Sequence, residues 1–395
     1  MTEVLFKRDI FDQIIPFLGT NNIIVLHGAR QVGKTHILYY LQNHLRLAGE
    51  STHYIDLEDS RYLDILDQGI DSFLTYLAAA GFKSSTKSKL YIFIDEIQHL
   101  QNPSPFLKLI ADHHSYIQLI VSGSSSFDIK SKFSDSLVGR TVNFEIYPLS
   151  FSEYLRFKNP NPLIPVSTSY GEFISYGGYP KIVLTDSLVQ KEKYLQQIID
   201  TYVKKDVSDL AKVTDTKKFN NLIKVLASQS GQLLNIKQLG NTCDLASATV
   251  VHYLSILEAT YIIKLVTPFS TSAKVEVAKT PKIFFYDTGL LQMLWTKQLQ
   301  TTNIGNLFET SIFAELVKKY GVENINFWRN KNQNEIDFIL HTKSGILPIE
   351  VKYNFNQFSS SKINPFLTKY KLIAYKVVGL TGTKKGPSYV YPWEI

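Results

Sequence analysis

The stretch Asn22-Ile23-Ile24-Val25-Leu26-His27-Gly28-Ala29-Arg30-Gln31-Val32-Gly33-Lys34-Thr35 decides the fold. An apolar run of strand type enters a glycine loop, and the loop opens into Thr35–Leu47, whose apolar residues recur at helical spacing. Residues 28–35 satisfy G-x-x-x-x-G-K-[ST] at every defined position, and the motif lies between a strand and a helix, as it must. The glycines let the loop curl so that backbone N–H groups and the helix N-terminus point at phosphates. Lys34 supplies charge to the β/γ phosphates and Thr35 a hydroxyl to Mg²⁺. Gly28, Ala29, Arg30, Gln31, Val32, Gly33, Lys34 and Thr35 are therefore the candidate nucleotide-binding residues, with ATP and Mg²⁺ the expected ligands.

Outward from this loop, strand-like and helix-like segments alternate to about residue 150, with His53–Leu57, Tyr91–Ile94 and Gln118–Val121 reading as further strands. That order predicts an α/β fold, a parallel sheet wrapped by helices. The run Leu90-Tyr91-Ile92-Phe93-Ile94-Asp95-Glu96 is an apolar strand ending in two acids. Asp95 is placed to hold the magnesium water shell, and Glu96 to polarise a water attacking the γ-phosphate, so the pair implies hydrolysis. Gln118-Leu119-Ile120-Val121-Ser122-Gly123-Ser124-Ser125-Ser126 is another buried strand ending in hydroxyls. The run is similar to that of P-loop ATPases that place such a strand between the two motif strands, and the resemblance implies a polar sensor of the γ-phosphate at its end. Ser124 is the candidate, against the alternative of a serine-rich turn.

With 395 residues, 44% of them hydrophobic, the chain has enough apolar content for two or three globular units, which excludes a disordered or fibrous protein. No window approaches about 18 uninterrupted apolar residues and the start lacks a signal-peptide pattern, so a soluble, cytoplasmic chain is expected. Cys243, the single cysteine, reads as a small core residue. The net charge of +7 hides an asymmetry. Residues 1–200 carry 18 basic and 21 acidic residues, net −3, whereas residues 201–395 carry 24 and 14, net +10. A basic second half suits DNA or another polyanion, and equally a solvated lysine surface.

Pro148 and the run Asn159-Pro160-Asn161-Pro162-Leu163-Ile164-Pro165 break the periodicity, so the core is assigned to residues 1–165 and a helical lid or connector to 166–215. Residues 216–280 read as three short helices followed by a strand pair, Tyr261–Val266 and Lys274–Val277, an order that resembles a winged helix. Ser247 is the expected N-cap of the third helix, whose exposed residues Thr249, His252 and Ser255 are poor base readers. Lys237, Lys264 and Lys274 remain available for phosphate contacts, and His252 reads as a surface or partly buried histidine. A mixed α/β unit fills residues 281–395. There Asp337, in Asn334-Glu335-Ile336-Asp337, is followed across a turn by Ile349-Glu350-Val351-Lys352. Period-two alternation puts Glu350 and Lys352 on one face, with Ile349 and Val351 toward the core. Two carboxylates and a lysine are what metal-assisted phosphodiester cleavage needs, with Asp337 and Glu350 as metal ligands. The competing reading is a surface ion pair on an ordinary hairpin.

Taken together, the glycine loop, Asp95-Glu96-Ile97-Gln98, Ser122-Gly123-Ser124-Ser125-Ser126, Gly139-Arg140 and Gly177-Gly178-Tyr179-Pro180 resemble the AAA-type ATPases. Within them the chain looks like a prokaryotic family that fuses an N-terminal ATPase to an uncharacterised C-terminal domain. That resemblance implies ATP binding and hydrolysis, and it makes Arg140 a candidate finger reaching a neighbouring subunit's nucleotide in a homo-oligomer, against an ordinary surface arginine. The pattern Asp337, Glu350-x-Lys352 resembles the restriction-endonuclease-like superfamily, which implies Glu309, on the preceding helix, as a further site residue. Two functional expectations result. One is an ATPase whose nucleotide state rearranges DNA-contacting C-terminal domains, with metal-dependent nuclease activity. The other is a nucleotide-dependent switch that recruits a protein partner through a catalytically inactive nuclease-like module.

Overall fold

Five apolar runs in the first 147 residues become parallel strands, and their place in the sheet follows from their burial. Strands β1 (Ile23–Gly28), β3 (Leu90–Asp95) and β4 (Ile117–Gly123) are buried throughout, whereas β2 (Ser51–Asp56) and β5 (Thr141–Ile146) alternate with exposed positions. The order is β2-β3-β4-β1-β5, with the half-exposed strands at the edges. Val25, Ile55, Ile92, Ile94 and Val121 pack with Phe73, Leu107 and Ile110 from the covering helices Ile70–Ala79 and Pro103–His113. Each such side chain contributes about 1.5–3 kcal/mol on burial. This computed structural model describes residues 5–82, 89–123, 137–270, 280–301, 304–330 and 332–395. Contacts divide it into two units, Met1–Tyr147 and Pro148–Ile395.

The parallel register brings the functional strand ends to one edge: Asp56 lies beside Asp95, His27 beside Gly123, and Gly28 beside Ile146. As expected for a sensor strand, β4 lies between β1 and β3.

The second unit opens with helix Phe151–Lys158, whose first turn is closed by a capping box between Ser150 and Glu153. Helix Val166–Tyr176 follows, and then Leu188–Ile198 runs through a π-helical stretch, Ile199–Asp206, into Val207–Leu210. Three short helices come next, Thr216–Ser228, Ile236–Cys243 and Ser247–Ala259. Cys243 is buried, as a core residue should be. Ser247 is already inside the third helix, and Ala246 occupies the cap position without a side-chain bond. Strand β6 (Ile263–Val266) pairs antiparallel with β7 (Lys282–Phe285). The expected partner Lys274–Val277 lies outside the described residues.

Helix Ile304–Tyr320 precedes a five-stranded sheet ordered β12-β11-β10-β9-β8, built from β8 (Ile325–Arg329), β9 (Glu335–Thr342), β10 (Gly345–Val351), β11 (Lys376–Val378) and β12 (Tyr389–Val390). The β9–β10 hairpin is antiparallel, and β10 pairs parallel with β11. The Trp393 ring stands 6.2 Å from Phe151 and 5.9 Å from Tyr170, joining the last turn of the unit to its first helices. Among the described residues no helix is long and apolar enough to cross a membrane.

Candidate functional site

The glycine loop is held from behind before any ligand arrives. A Cβ on Gly28 would fall on the carbonyl oxygen of Ile146, so only glycine lets the loop leave β1 against β5. Arg8, 8% exposed, donates from Nη1 to Val32 O (2.8 Å) and from Nη2 to Tyr147 O (2.9 Å), tying the loop to the end of β5. Lys34 is buried, and its ammonium donates to the carbonyls of Gly28 (3.1 Å) and Ala29 (2.9 Å). Burial pushes its pKa down to about 8, with Glu96 and Asp95 opposing the shift. A phosphate near this ammonium would replace two neutral carbonyl partners with an anion.

Asp95 is the centre of the site. It is 4% exposed, and its Oδ2 accepts hydrogen bonds from Thr35 Oγ1 (2.6 Å) and Tyr54 OH (2.9 Å). Its Oδ1 accepts from Ser122 Oγ and from the Glu96 N–H (3.2 Å). Burial, followed by the Asp95 charge, raises the Tyr54 pKa, so this phenol stays a donor. Glu96 sits at φ +55, a left-handed conformation that costs a non-glycine residue about 1–2 kcal/mol. Its carboxylate accepts a hydrogen bond from Gln98 Nε2. The backbone thus turns Glu96 away from the line of β3 while Asp95 is fixed along it.

Thr35, Lys34, Asp95 and Glu96 meet at one edge of the sheet. Ser124 lies outside the described residues, and the hydroxyl that the structure brings to Asp95 from this strand is that of Ser122. Tyr54 was missed from sequence because it belongs to no motif, and Ser122 because Ser124 was chosen from the hydroxyl run that both share, although Tyr54 and Ser122 each lie on a segment read as a strand. Arg140 precedes β5, where its carbonyl accepts from Ile23 N–H (2.8 Å) at the start of β1. It therefore sits at the sheet edge opposite its own glycine loop. Its guanidinium forks onto Asp112, Nε to Oδ1 at 2.6 Å and Nη2 to Oδ2 at 3.0 Å.

A second polar cluster occupies the C-terminal sheet. Asp337 Oδ2 accepts from Val351 N–H (2.7 Å) and Lys352 Nζ (3.1 Å), and Lys352 also reaches Glu350 Oε2 (2.9 Å). Glu350 is 2% exposed, and Ile349 and Val351 are buried as well. The second half of strand β10, residues 348–351, is therefore buried on both faces instead of alternating, and a surface ion pair does not describe this group. Lys282, from β7, contacts Glu309 Oε1 (3.1 Å) and Glu335 Oε1 (2.7 Å), and Arg329 lies 3.4 Å from Glu335 Oε2. Burial and the neighbouring Asp337 push Glu309 and Glu350 up to about 7, against the pull of Lys282 and Lys352 respectively. Burial opposes the charge on Lys282, but Glu309, Asp337 and Glu335 outweigh it and raise its pKa. Among the described residues no three His, Cys, Asp or Glu side chains converge as a ready metal cage. Within this group Glu350 Oε1 is buried with no hydrogen-bond partner, while Lys352 donates to its Oε2. Lys282 and Glu335 escaped the sequence reading, since their pairing depends on how β7 packs beside β9, which no local run announces.

The Gly177-Gly178-Tyr179-Pro180 turn has a structural reason. Buried Asp287 caps helix Thr288–Thr296 and also accepts the Gly178 N–H (2.7 Å). Gly177 takes φ +79, and a Cβ there would overlap that carboxylate.

Residues 20–155 match the AAA domain family, residues 167–303 a domain of unknown function (DUF8612), and residues 304–393 a domain of unknown function (DUF4143). The uncharacterized protein MJ1544 of Methanocaldococcus jannaschii is 30% identical over 369 residues, covering 89% of this chain and 78% of that protein. The chain belongs to the MJ1544 family. An uncharacterized protein of Haemophilus influenzae is 28% identical over 393 residues, 97% of this chain and 94% of its own. Among solved structures, AMPPCP-bound DnaA from Aquifex aeolicus matches 63% of this chain and 86% of its own length, at 17% identity and a TM-score of 0.33. The AAA domain, with its P-loop and five-stranded parallel sheet, makes this member of the MJ1544 family a nucleotide-binding P-loop ATPase.

Proposed function

We propose that the protein hydrolyses ATP with Glu96 as general base, and that nucleotide state rearranges C-terminal segments that contact DNA. The convergence of Thr35, Tyr54 and Ser122 hydroxyls on Asp95, beside a buried Lys34, carries the reading. The loop N–H groups and Lys34 would bind the phosphates. Thr35 and Asp95 would hold magnesium, which supplies charge neutralisation at the phosphate oxygens when bound. Glu96 would accept the proton of the attacking water, with Gln98 fixing its carboxylate. Because Arg140 lies at the edge opposite its own P-loop, any finger role would be in trans, in a homo-oligomer. Ser124 stays a candidate sensor beside Ser122.

DNA contact is supported by the basic second half and by the succession of three helices and a two-stranded sheet, which we read as a winged helix. The C-terminal sheet is read as restriction-endonuclease-like, with Glu309, Asp337, Glu350 and Lys352 at its site and Asp337 and Glu350 as ligands of a divalent cation. The filling of that site by Lys282 and Lys352 favours the second reading as well, an inactive docking module that recruits a protein partner according to nucleotide state.

Two variants test the first reading. Glu96→Gln is expected to keep ATP affinity while phosphate release falls by about 10²–10⁴-fold, and Lys34→Ala to lose ATP binding in calorimetry. Full phosphate release by Glu96→Gln would remove the assigned base. Magnesium-dependent cleavage of duplex DNA that disappears in Asp337→Ala would separate the nuclease from the docking module.

A further inference from the structure

The first unit carries an acidic face with a groove beside it. Residues 56–71 hold six acids, Asp56, Glu58, Asp59, Asp64, Asp67 and Asp71, against one base, Arg61, a net charge of −5. Arg61 is already engaged by Asp59 (2.6 Å). The helices Ser60–Asp67, Ile70–Ala79 and Pro103–His113 contribute the walls of a groove of about 600 Å³, a size that admits several side chains. Its apolar lining includes Leu66 and Phe106, both buried, and Leu109, 42% exposed. Asp67 and Asp71 supply its acids, and Asp67 Oδ1 is fixed by the Gln101 N–H (3.0 Å). Among the described residues no lysine or arginine lines it, and its other ionisable side chains are His113 and His114.

The end of the second unit has the opposite charge. Residues 353–395 carry six lysines, Lys362, Lys369, Lys371, Lys376, Lys384 and Lys385, and one acid, Glu394, a net charge of +5. Three of them, Lys369, Lys371 and Lys376, flank or belong to the loop 371–375 between helix Ser360–Tyr370 and β11. The loop is anchored. Lys371 takes φ +54 to end the helix, and the Leu372 N–H donates to Leu367 O (2.9 Å). Leu372 and Tyr375 pack against the core of the C-terminal sheet. Ile373, between them, is 97% exposed, the highest value of any large hydrophobic side chain among the described residues. One exposed isoleucine is ordinary by itself. Held out on an anchored loop among three lysines, it matches a groove with apolar walls and acids beside them.

We propose that the loop 371–375 of one copy docks into this groove of a second copy, with Ile373 against Leu66, Phe106 and Leu109 and the flanking lysines against Asp67 and Asp71. Opposite charge steers the two surfaces together and sets their register, and burial of the isoleucine holds them. Loop and groove are different surfaces, so the contact is head-to-tail: each copy gives its loop to one neighbour and offers its groove to another. None of the residues assigned to nucleotide takes part, so the association does not depend on hydrolysis.

Sedimentation velocity on the full chain without nucleotide tests the contact, comparing wild type, Ile373→Asp in the loop and Leu109→Lys in the groove. Both positions are exposed, and a thermal midpoint near that of wild type verifies each fold; Lys371→Glu and Asp71→Lys are the replacements where it does not. Wild type is expected to sediment faster as its concentration rises, and less so with added salt. Each variant alone is expected to associate about tenfold more weakly or worse. At a concentration where each variant alone is monomeric, an equimolar mixture is expected to recover one contact, the intact loop of Leu109→Lys in the intact groove of Ile373→Asp. The product is a heterodimer and nothing larger. Wild type that stays monomeric at every concentration overturns the inference, as does wild-type association by either variant. A mixture no heavier than its components, or one that grows beyond two copies, overturns it as well.

Discussion

At Asp95, three hydroxyls and an amide satisfy both oxygens of a buried carboxylate, and the hydroxyl of Ser122 is the one that also lies within reach of the Glu96 amide (3.3 Å). Ser122→Ala leaves Oδ1 with the Glu96 N–H as its remaining partner in this set, a loss of about 1–3 kcal/mol at a buried group. The expected outcome is a lower thermal midpoint and an ATPase rate reduced about tenfold, read by unfolding and phosphate release. A variant with wild-type turnover would show that Asp95 is oriented by Thr35 and Tyr54 alone. Lys34, Thr35, Asp95 and Glu96 could be read from sequence because each sits in a short motif whose spacing the chemistry dictates. Tyr54 and Ser122 could not, because their partnership depends on which strands are neighbours, and the order β2-β3-β4 is not written in any local run. Arg8 is hidden for the same reason: its partner Val32 is 24 residues away and its second partner, Tyr147, is 139 away.

Single elements show a similar division. Strands and helices with strong periodicity were legible, including the three short helices after residue 215. The two- and three-residue strands β12 and β11 were not, since runs so short carry no period. The helix Leu188–Ile198 carries an ionisation that its amphipathic pattern did not announce. Lys191 is buried, donates to Ile182 O (2.8 Å), and lies over the Tyr176 ring. Burial, aided by nearby Lys158, lowers its pKa from 10.5 to about 8. Above about pH 8 the folded chain has released this proton, whereas the unfolded chain holds it to near 10.5. The unfolded state then binds more protons, so this residue makes stability rise with pH across that window. Urea midpoints at pH 7.5, 9 and 10 should show the rise in wild type and a flatter profile in Lys191→Met. Parallel profiles would mean that the ammonium is not desolvated in solution.

For the whole molecule, the net +10 of residues 201–395 makes a quantitative claim about any DNA contact. If phosphates are the target, log affinity falls linearly with log salt, with a slope of about −0.9 per phosphate neutralised on duplex DNA. Fluorescence anisotropy from 50 to 200 mM salt measures that slope, and affinity independent of salt would exclude phosphate contacts as its source. The charge asymmetry was visible in the sequence. The lysine from β7 inside the C-terminal carboxylates was not, because its partners Glu309 and Glu335 reach it through packing that no local run announces.

The packing of Trp393 on Phe151 and Tyr170 has a consequence for biogenesis. During translation all residues of the first unit, through Tyr147, emerge while more than half of the chain is still unmade, so that unit can close early. The second unit begins at Pro148 but lacks the aromatic keystone of its opening helices until the ribosome has released Trp393. Until then Phe151 and Tyr170 have each other, Tyr154, Phe173 and Phe308 as ring neighbours, and the late-made indole is the piece of that aromatic cluster still to be added.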